Sequence, residues 1–126
     1  MDIDIPEVLA EMQAVFAAYE TAFVTNDTAA LDRLFWDSIK TVRYGVCEMQ
    51  HGFAEVAAFR AAYPPVDLPR DLARTVITTF GRDAATASTL FYRASAPGKV
   101  GRQMQTWMRM ADGWKVVAAH VSLIDE

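Results

Sequence analysis

The last third of the chain consists of stretches rich in β-branched and aromatic residues, separated by short turn segments. The stretches span residues 74–80, 84–95, 102–110 and 114–124, and each turn between them, at 81–83, 96–98 and 111–113, contains glycine. Connections this short favour antiparallel pairing, because a parallel crossover needs about a dozen residues or more. The sequence therefore predicts a meander of four antiparallel strands.

A helical pattern dominates the beginning of the chain. Apolar residues recur at steps of three and four from Val8 to Phe23, which predicts an amphipathic helix over residues 6–25. Asp4 is the expected N-cap, and Pro6 suits the first turn because its missing N–H has no partner there.

Three further elements are predicted between this helix and the meander. Asp27 or Thr28 can cap a short second helix, residues 41–48 have strand composition, and residues 53–63 form a third helix that Pro64-Pro65 ends. Helices that precede a run of strands indicate the α+β class. We expect a curved antiparallel sheet wrapped around the first helix, with a pocket at its open end.

Length and charge limit the function further. The 126 residues form one domain, residues 1–126, and carry 16 acidic against 12 basic side chains. A net charge of −4 argues against a nucleic-acid partner, and no apolar run approaches the roughly 20 residues of a membrane span. The acidic N-terminus lacks the basic region of a signal peptide, and Cys47 is the single cysteine. A cytoplasmic protein without a membrane partner is expected.

Two residues are candidates for catalysis. Tyr19 lies on the apolar side of the first helix, so it is either a core tyrosine or a phenol that points into the pocket. Arg43 shares a strand face with Gly45, which leaves room beside it. If that face is concave, Arg43 needs an anionic partner, which is either Glu20, Glu48 or Glu55, or a bound carboxylate.

Four residues are candidates for substrate binding. Arg60 borders the buried face of the third helix, where it either snorkels to solvent or reaches the pocket. His120 and Ser122 share one face of the last strand, which turns polar toward its end. Gln105 faces His120 only if the hairpin pairs them, since a slip of one residue presents Met104 instead.

Several catalytic motifs are missing from the sequence. It has no glycine-rich phosphate loop and no Gly-x-Ser-x-Gly elbow, and its only histidines, His51 and His120, lack ligand-spaced partners. We therefore expect no metal and no organic cofactor.

Several segments of the sequence resemble one known family. They are Val42-Arg43-Tyr44-Gly45-x-x-Glu48, Gly52, Phe59-Arg60, Gly101-Arg102-Gln103-x-Gln105-Thr106-Trp107 and Gly113-Trp114-x-Val116-Val117-Ala118-Ala119-His120-Val121-Ser122. Together they resemble the AtzH-like group of the NTF2-like (SnoaL-like) superfamily, which includes proteins of oxalurate catabolism. The resemblance covers about residues 5 to 124. Met104 stands where a small polar residue is expected.

This resemblance implies a fold, an assembly and an activity. It implies an NTF2-like cone, a homodimer with one pocket per cone, and a small anionic substrate. The implied reaction is a step of cyanuric acid catabolism, in which a decarboxylating amidohydrolase converts 1,3-dicarboxyurea to allophanate. It also implies that Tyr19 and Arg43 line the active site.

Two other functions compete with this enzyme. One is a non-catalytic, dimeric ligand-binding module or an accessory protein of ureide catabolism, since this fold serves many roles. The other is an isomerase or dehydratase, which would need a carboxylate base or an Asp–His pair in the pocket. His120 has no obvious aspartate on its strand face, so the sequence favours this last reading least.

Overall fold

The structure is a computed structural model that describes residues 1–63 and 69–126, and it confirms the α+β class. The predicted helix stop at Pro64-Pro65 lies outside the described residues. In chain order the elements are α1 Pro6–Val24, α2 Thr28–Leu34, β1 Val42–Tyr44, β2 Met49–His51, α3 Phe53–Ala62, β3 Asp71–Phe80, β4 Ala84–Tyr92, β5 Lys99–Met110 and β6 Gly113–Asp125. None of the helices in the described ranges is long and apolar enough to cross a membrane.

The strands form one six-stranded sheet in the order β2-β1-β6-β5-β4-β3. The meander β3 to β6 pairs antiparallel throughout, as its short turns predict, and β1 pairs parallel with β6. The sheet curves around α1, whose buried residues Met12 and Phe16 belong to the same core as Trp107 and Val116 of the strands. We call the face toward α1 the concave face and the opposite one the convex face.

Two local predictions at the N-terminal half are wrong. Asp4 does not cap α1. The N-cap is Ile5, without a side-chain hydrogen bond, and the Asp4 carboxylate instead accepts the backbone N–H of Thr79 at 2.8 Å. Of the predicted strand at 41–48, only β1 is extended, because the chain turns between Gly45 and Glu48 and β2 then pairs back on β1. The cap expected for α2 is confirmed, since Asp27 accepts from the N–H of Ala30 at 3.1 Å.

A β-bulge in β6 decides which side chains reach the concave face. Val116 pairs with Trp107 and Ala118 pairs with Thr106, so Val117 is an extra residue on its strand. The alternation of faces therefore shifts by one after Val116. Val116 and Ala119 are buried on the concave face, whereas His120 is exposed on the convex face.

Candidate functional site

A cavity with two adjoining lobes lies at the open end of the cone. Both lobes are lined by Tyr19, Phe23 and Arg43. The helical lobe, of about 70 Å³, adds Leu31, Val56, Phe59, Arg60 and Tyr63. The sheet lobe, of about 260 Å³, adds Glu48, Arg70, Phe91, Arg93, Gln103 and Val121. The two volumes together lie at the lower end of the roughly 300–1,000 Å³ of pockets for drug-sized ligands, so the cavity suits a small molecule.

Tyr19 stands where the two lobes meet. Its ring packs edge-on against Trp107 at a centroid distance of 5.9 Å, and the residue is only 7% exposed. Its hydroxyl makes no hydrogen bond to any residue that the structure describes. A phenol that is buried at its ring and free at its oxygen can donate a hydrogen bond or a proton to a ligand.

Arg43 is held from one side of its guanidinium. Nη1 donates to Glu48 Oε1 at 2.8 Å and to Gln50 Oε1 at 3.1 Å, and the Phe59 ring lies 5.8 Å from Cζ. Both hydrogen bonds to described residues use Nη1, which leaves Nη2 and Nε for a ligand. Of the three acidic partners weighed from the sequence, Glu48 is therefore the one that Arg43 binds.

Gly45 allows this ion pair to form. A Cβ at this position would lie 1.7 Å from Glu48 Oε1, inside the carboxylate that folds back toward Arg43. The backbone N–H of Cys47 donates to the second oxygen of the same carboxylate at 3.1 Å. The room that glycine leaves beside Arg43 is thus occupied by its counter-ion.

Arg60 lines the helical lobe together with Tyr19 and Arg43. Its guanidinium pairs with Asp32 and lies over the Phe35 ring, with Cζ 4.9 Å from the centroid. It is therefore a paired and largely buried cation that borders the lobe with its charge already balanced.

Gln105, His120 and Ser122 do not join this cavity, so their predicted placement on its wall is wrong. Gln105 is buried on the concave face but accepts the indole N–H of Trp107 at 3.0 Å. The hairpin register pairs His120 with Met104, and the bulge at Val117 turns both His120 and Ser122 to the convex face. There Ser122 accepts from Arg102 Nε at 3.0 Å, and His120 packs against Tyr44 with ring centroids 6.0 Å apart.

Arg70, Arg93 and Gln103 line the cavity but were not predicted as site residues. Arg70 binds Glu20, which lies 50 positions away in the chain, so no local sequence pattern predicts this ion pair. For Gln103 the sequence did offer an indication. Buried and exposed residues alternate along β5, and Gln103 is a polar residue at one of the buried positions. This indication could be used only once the strand register was known.

Other depressions on the surface lack this chemistry. One, of about 540 Å³, lies between α2 and the β5–β6 turn, and another, of about 370 Å³, lies on the convex face near Arg74 and Met104. Both are more open than the two lobes. Among residues 1–63 and 69–126, no group of three or more His, Cys, Asp or Glu side chains could hold a metal ion.

Comparison with known proteins identifies the family. The AtzH-like family profile matches residues 1–126. Two solved structures share 52% identity with the chain. One is a protein of unknown function from Pectobacterium atrosepticum, with a TM-score of 0.95 over 98% of this chain and 96% of that one. The other is a cystatin-like fold protein from Burkholderia xenovorans, with a TM-score of 0.96 over 100% and 98%.

A more distant structure places the fold. An NTF2-like protein of unknown function from Pseudomonas putida is 16% identical and has a TM-score of 0.74 over 92% of this chain and 86% of that one. No curated protein sequence matches the chain. With the profile match over its full length and this shared architecture, the chain belongs to the AtzH-like family and has the NTF2-like fold.

Proposed function

We propose that this protein is a cofactor-free enzyme that removes carbon dioxide from a small carboxylated urea, converting 1,3-dicarboxyurea to allophanate. The observation that carries the proposal is the meeting of Tyr19 and Arg43 at one small cavity of an AtzH-like protein. Each presents hydrogen-bond donors that no described residue uses.

The charge of the cavity supports an anionic substrate. Three guanidinium groups, of Arg43, Arg70 and Arg93, line the sheet lobe against the carboxylate of Glu48. Glu20 binds Arg70 and adds a second carboxylate, so the three arginines and two glutamates together have a net charge of +1. Arg43 can hold a planar carboxylate with two parallel hydrogen bonds from Nη2 and Nε.

The reaction needs one bond cleavage and one proton. The bond between a urea nitrogen and its carboxylate carbon breaks, its electron pair stays on nitrogen, and carbon dioxide leaves. The nitrogen takes up one proton. The Tyr19 hydroxyl is an O–H donor, so it can supply this proton or can donate a hydrogen bond to the urea oxygen as charge moves there. Arg43 fixes the plane of the substrate by holding one carboxylate.

Product analysis tests this proposal. Purified protein is incubated with freshly prepared ¹³C-labelled 1,3-dicarboxyurea, and allophanate is followed by ¹³C NMR against a protein-free control that gives the spontaneous rate. We expect allophanate to form faster in proportion to the protein concentration. Saturable binding with no rate above the control would support the ligand-binding module instead and would contradict the enzyme.

We also propose that the protein is a two-fold homodimer that covers the convex face. Tyr44, Val76 and Met104 are 38%, 57% and 63% exposed there, and apolar side chains exposed together on one face are typical of subunit interfaces. Sedimentation equilibrium at micromolar concentration should give a dimer for the natural protein and a monomer for Met104→Glu. A stable monomer of the natural protein would contradict the assembly.

A further inference from the structure

Two buried hydrogen-bond donors of the sheet lobe have no partner among residues 1–63 and 69–126. Among the described residues, the buried side-chain polar atoms without a hydrogen bond are Asn26 Oδ1, Arg93 Nε and Gln103 Nε2. The last two are donors, and both belong to residues that line the sheet lobe. A buried donor without a partner is costly, so such atoms are usually satisfied by a ligand or water.

The amide of Gln103 is held in a fixed orientation. Its Oε1 accepts from Arg70 Nη2 at 3.2 Å, which turns its NH₂ group away from Arg70. Arg70 itself cannot swing away easily. It binds both oxygens of Glu20, at 3.0 and 2.7 Å, and its Cζ lies 4.1 and 4.8 Å from the Phe23 and Phe91 ring centroids. The free donor of Gln103 is therefore pre-organised rather than incidental.

The second donor shares the same aromatic support. Arg93 Cζ lies 5.3 Å from the centroid of the Phe91 ring, on which Arg70 also packs. Gly101 makes room for that ring, because a Cβ at this position would lie 2.1 Å from Phe91 Cζ. The arrangement thus brings a positive charge and two unused donors to one end of the cavity, while Arg43 and Tyr19 stand at the junction with the other lobe.

We infer that the sheet lobe is a second carboxylate subsite, in which Gln103 Nε2 and Arg93 Nε bind one carboxylate of the ligand while Arg43 binds the other. This inference rests on the proposed function and deepens it. It defines the substrate class as small dicarboxylates about five atoms long and separates them from monocarboxylates of the same length.

Two stable probes that differ only in the second carboxylate test the subsite. Glutarate has the five-atom chain of a 1,3-dicarboxylated urea with a carboxylate at each end, and valerate has the same chain with one. Isothermal titration measures the dissociation constant of each probe with the natural protein, Arg43→Lys, Gln103→Met and Gln103→Glu. Gln13→Met makes the same chemical change on the exposed side of α1 and serves as the matched control. Thermal denaturation confirms that each variant is folded.

The expected result is a loss specific to the dicarboxylate. Gln103→Met should weaken glutarate binding by about 10- to 100-fold, the effect of one hydrogen bond to a charged group, and valerate binding by less than about twofold. Gln103→Glu keeps an acceptor for Arg70 but adds a negative charge, so it should weaken glutarate binding further. Gln13→Met should change neither constant.

Two outcomes would overturn the inference, and they are distinguishable. In the first, Arg43→Lys weakens glutarate binding, but folded Gln103→Met and Gln103→Glu bind glutarate with the dissociation constant of the natural protein. The second subsite would then be wrong, and the proposed function would stand. If neither probe binds and 1,3-dicarboxyurea is not turned over, the proposed function fails and the subsite falls with it.

Discussion

The two faces of the sheet are made from the same strands but differ in chemistry. On the concave face of β5, Gln103, Gln105 and Trp107 are each at most 3% exposed, and their polar atoms bind other side chains or line the cavity. On the convex face of the same strand, Met104 is 63% exposed beside His120. Around Met104, therefore, the buried face of β5 carries two amides and the exposed face carries an apolar side chain, whereas the rest of the concave core is apolar and the convex face also carries Arg102 and Ser122.

This inversion indicates how the faces are used. A globular domain ordinarily places its amides inside only when they have a role there, and exposes apolar groups where a partner covers them. The concave face is therefore the candidate site, and the convex face is the candidate interface between subunits. Matched substitutions on the two faces, of Tyr19 with Tyr44 and of Arg43 with Arg102, separate these two uses.

The largest effect is expected from Tyr19→Phe. The substitution removes only the hydroxyl, so the fold should persist while kcat for 1,3-dicarboxyurea falls by about 10²–10⁴, the usual loss for an acid–base group. Tyr44→Phe removes a hydroxyl from the convex face and should leave kcat within about twofold. Steady-state kinetics on both variants checks the contrast. Equal kcat values for Tyr19→Phe and Tyr44→Phe would mean that the Tyr19 hydroxyl takes no part in the reaction.

Arg43→Lys should have the next largest effect. Lysine keeps the positive charge but lacks the planar pair of donors, so binding of a carboxylated ligand should weaken by about 1.5–3 kcal/mol. Arg102→Lys is the matched change on the convex face, where Arg102 donates to Ser122. Titration with glutarate should show the loss in Arg43→Lys alone. A similar loss in both variants would indicate a general charge effect rather than a site.

Gly101→Ala should destabilise the fold from the concave face. The added methyl would meet the Phe91 ring, and overpacking of this kind costs about 1–3 kcal/mol of unfolding free energy. Adding Phe91→Leu to the same chain should restore part of that loss because it shortens the obstructing side chain. Urea denaturation of the single and double variants measures it. Full stability of Gly101→Ala would mean that the ring is not confined there.

The smallest effect is expected at the other end of the cone. Hydrogen bonds from Trp114 Nε1 and Arg109 lower the pKa of Glu11 below its ordinary value of 4.5. Because the folded-state pKa is the lower one, this stabilisation is present above pH 4.5 and is lost as the pH falls through the folded value. Glu11→Gln should therefore reduce the Tm slightly at pH 7 and leave it unchanged near pH 2. A constant difference across that range would mean that the carboxylate charge is irrelevant.

The fold could be predicted from local patterns, whereas the site could be predicted only in part. The helical steps of α1 and the glycine-containing turns gave the architecture because they depend on neighbours in the chain. Tyr19 and Arg43 line the cavity, and the helical period of α1 and the alternation of β1 had made both candidates; their role in catalysis stays a prediction.

His120 and Ser122 were misassigned for a specific reason. Strict alternation from Val116 would place them on the concave face, but the bulge at Val117 reverses the faces beyond it, and no residue type marks that bulge. Arg70 was missed because its partners Glu20 and Gln103 are distant in sequence. A site assembled from long-range contacts needs the register, which the sequence leaves open.

The most direct test of the account is the structure of the protein with glutarate bound. The account predicts electron density in the cavity, with one carboxylate on Arg43 within reach of the Tyr19 hydroxyl and the other between Arg93 and Gln103. Density for the ligand on the convex face near His120, or an empty cavity under conditions where titration shows binding, would contradict it.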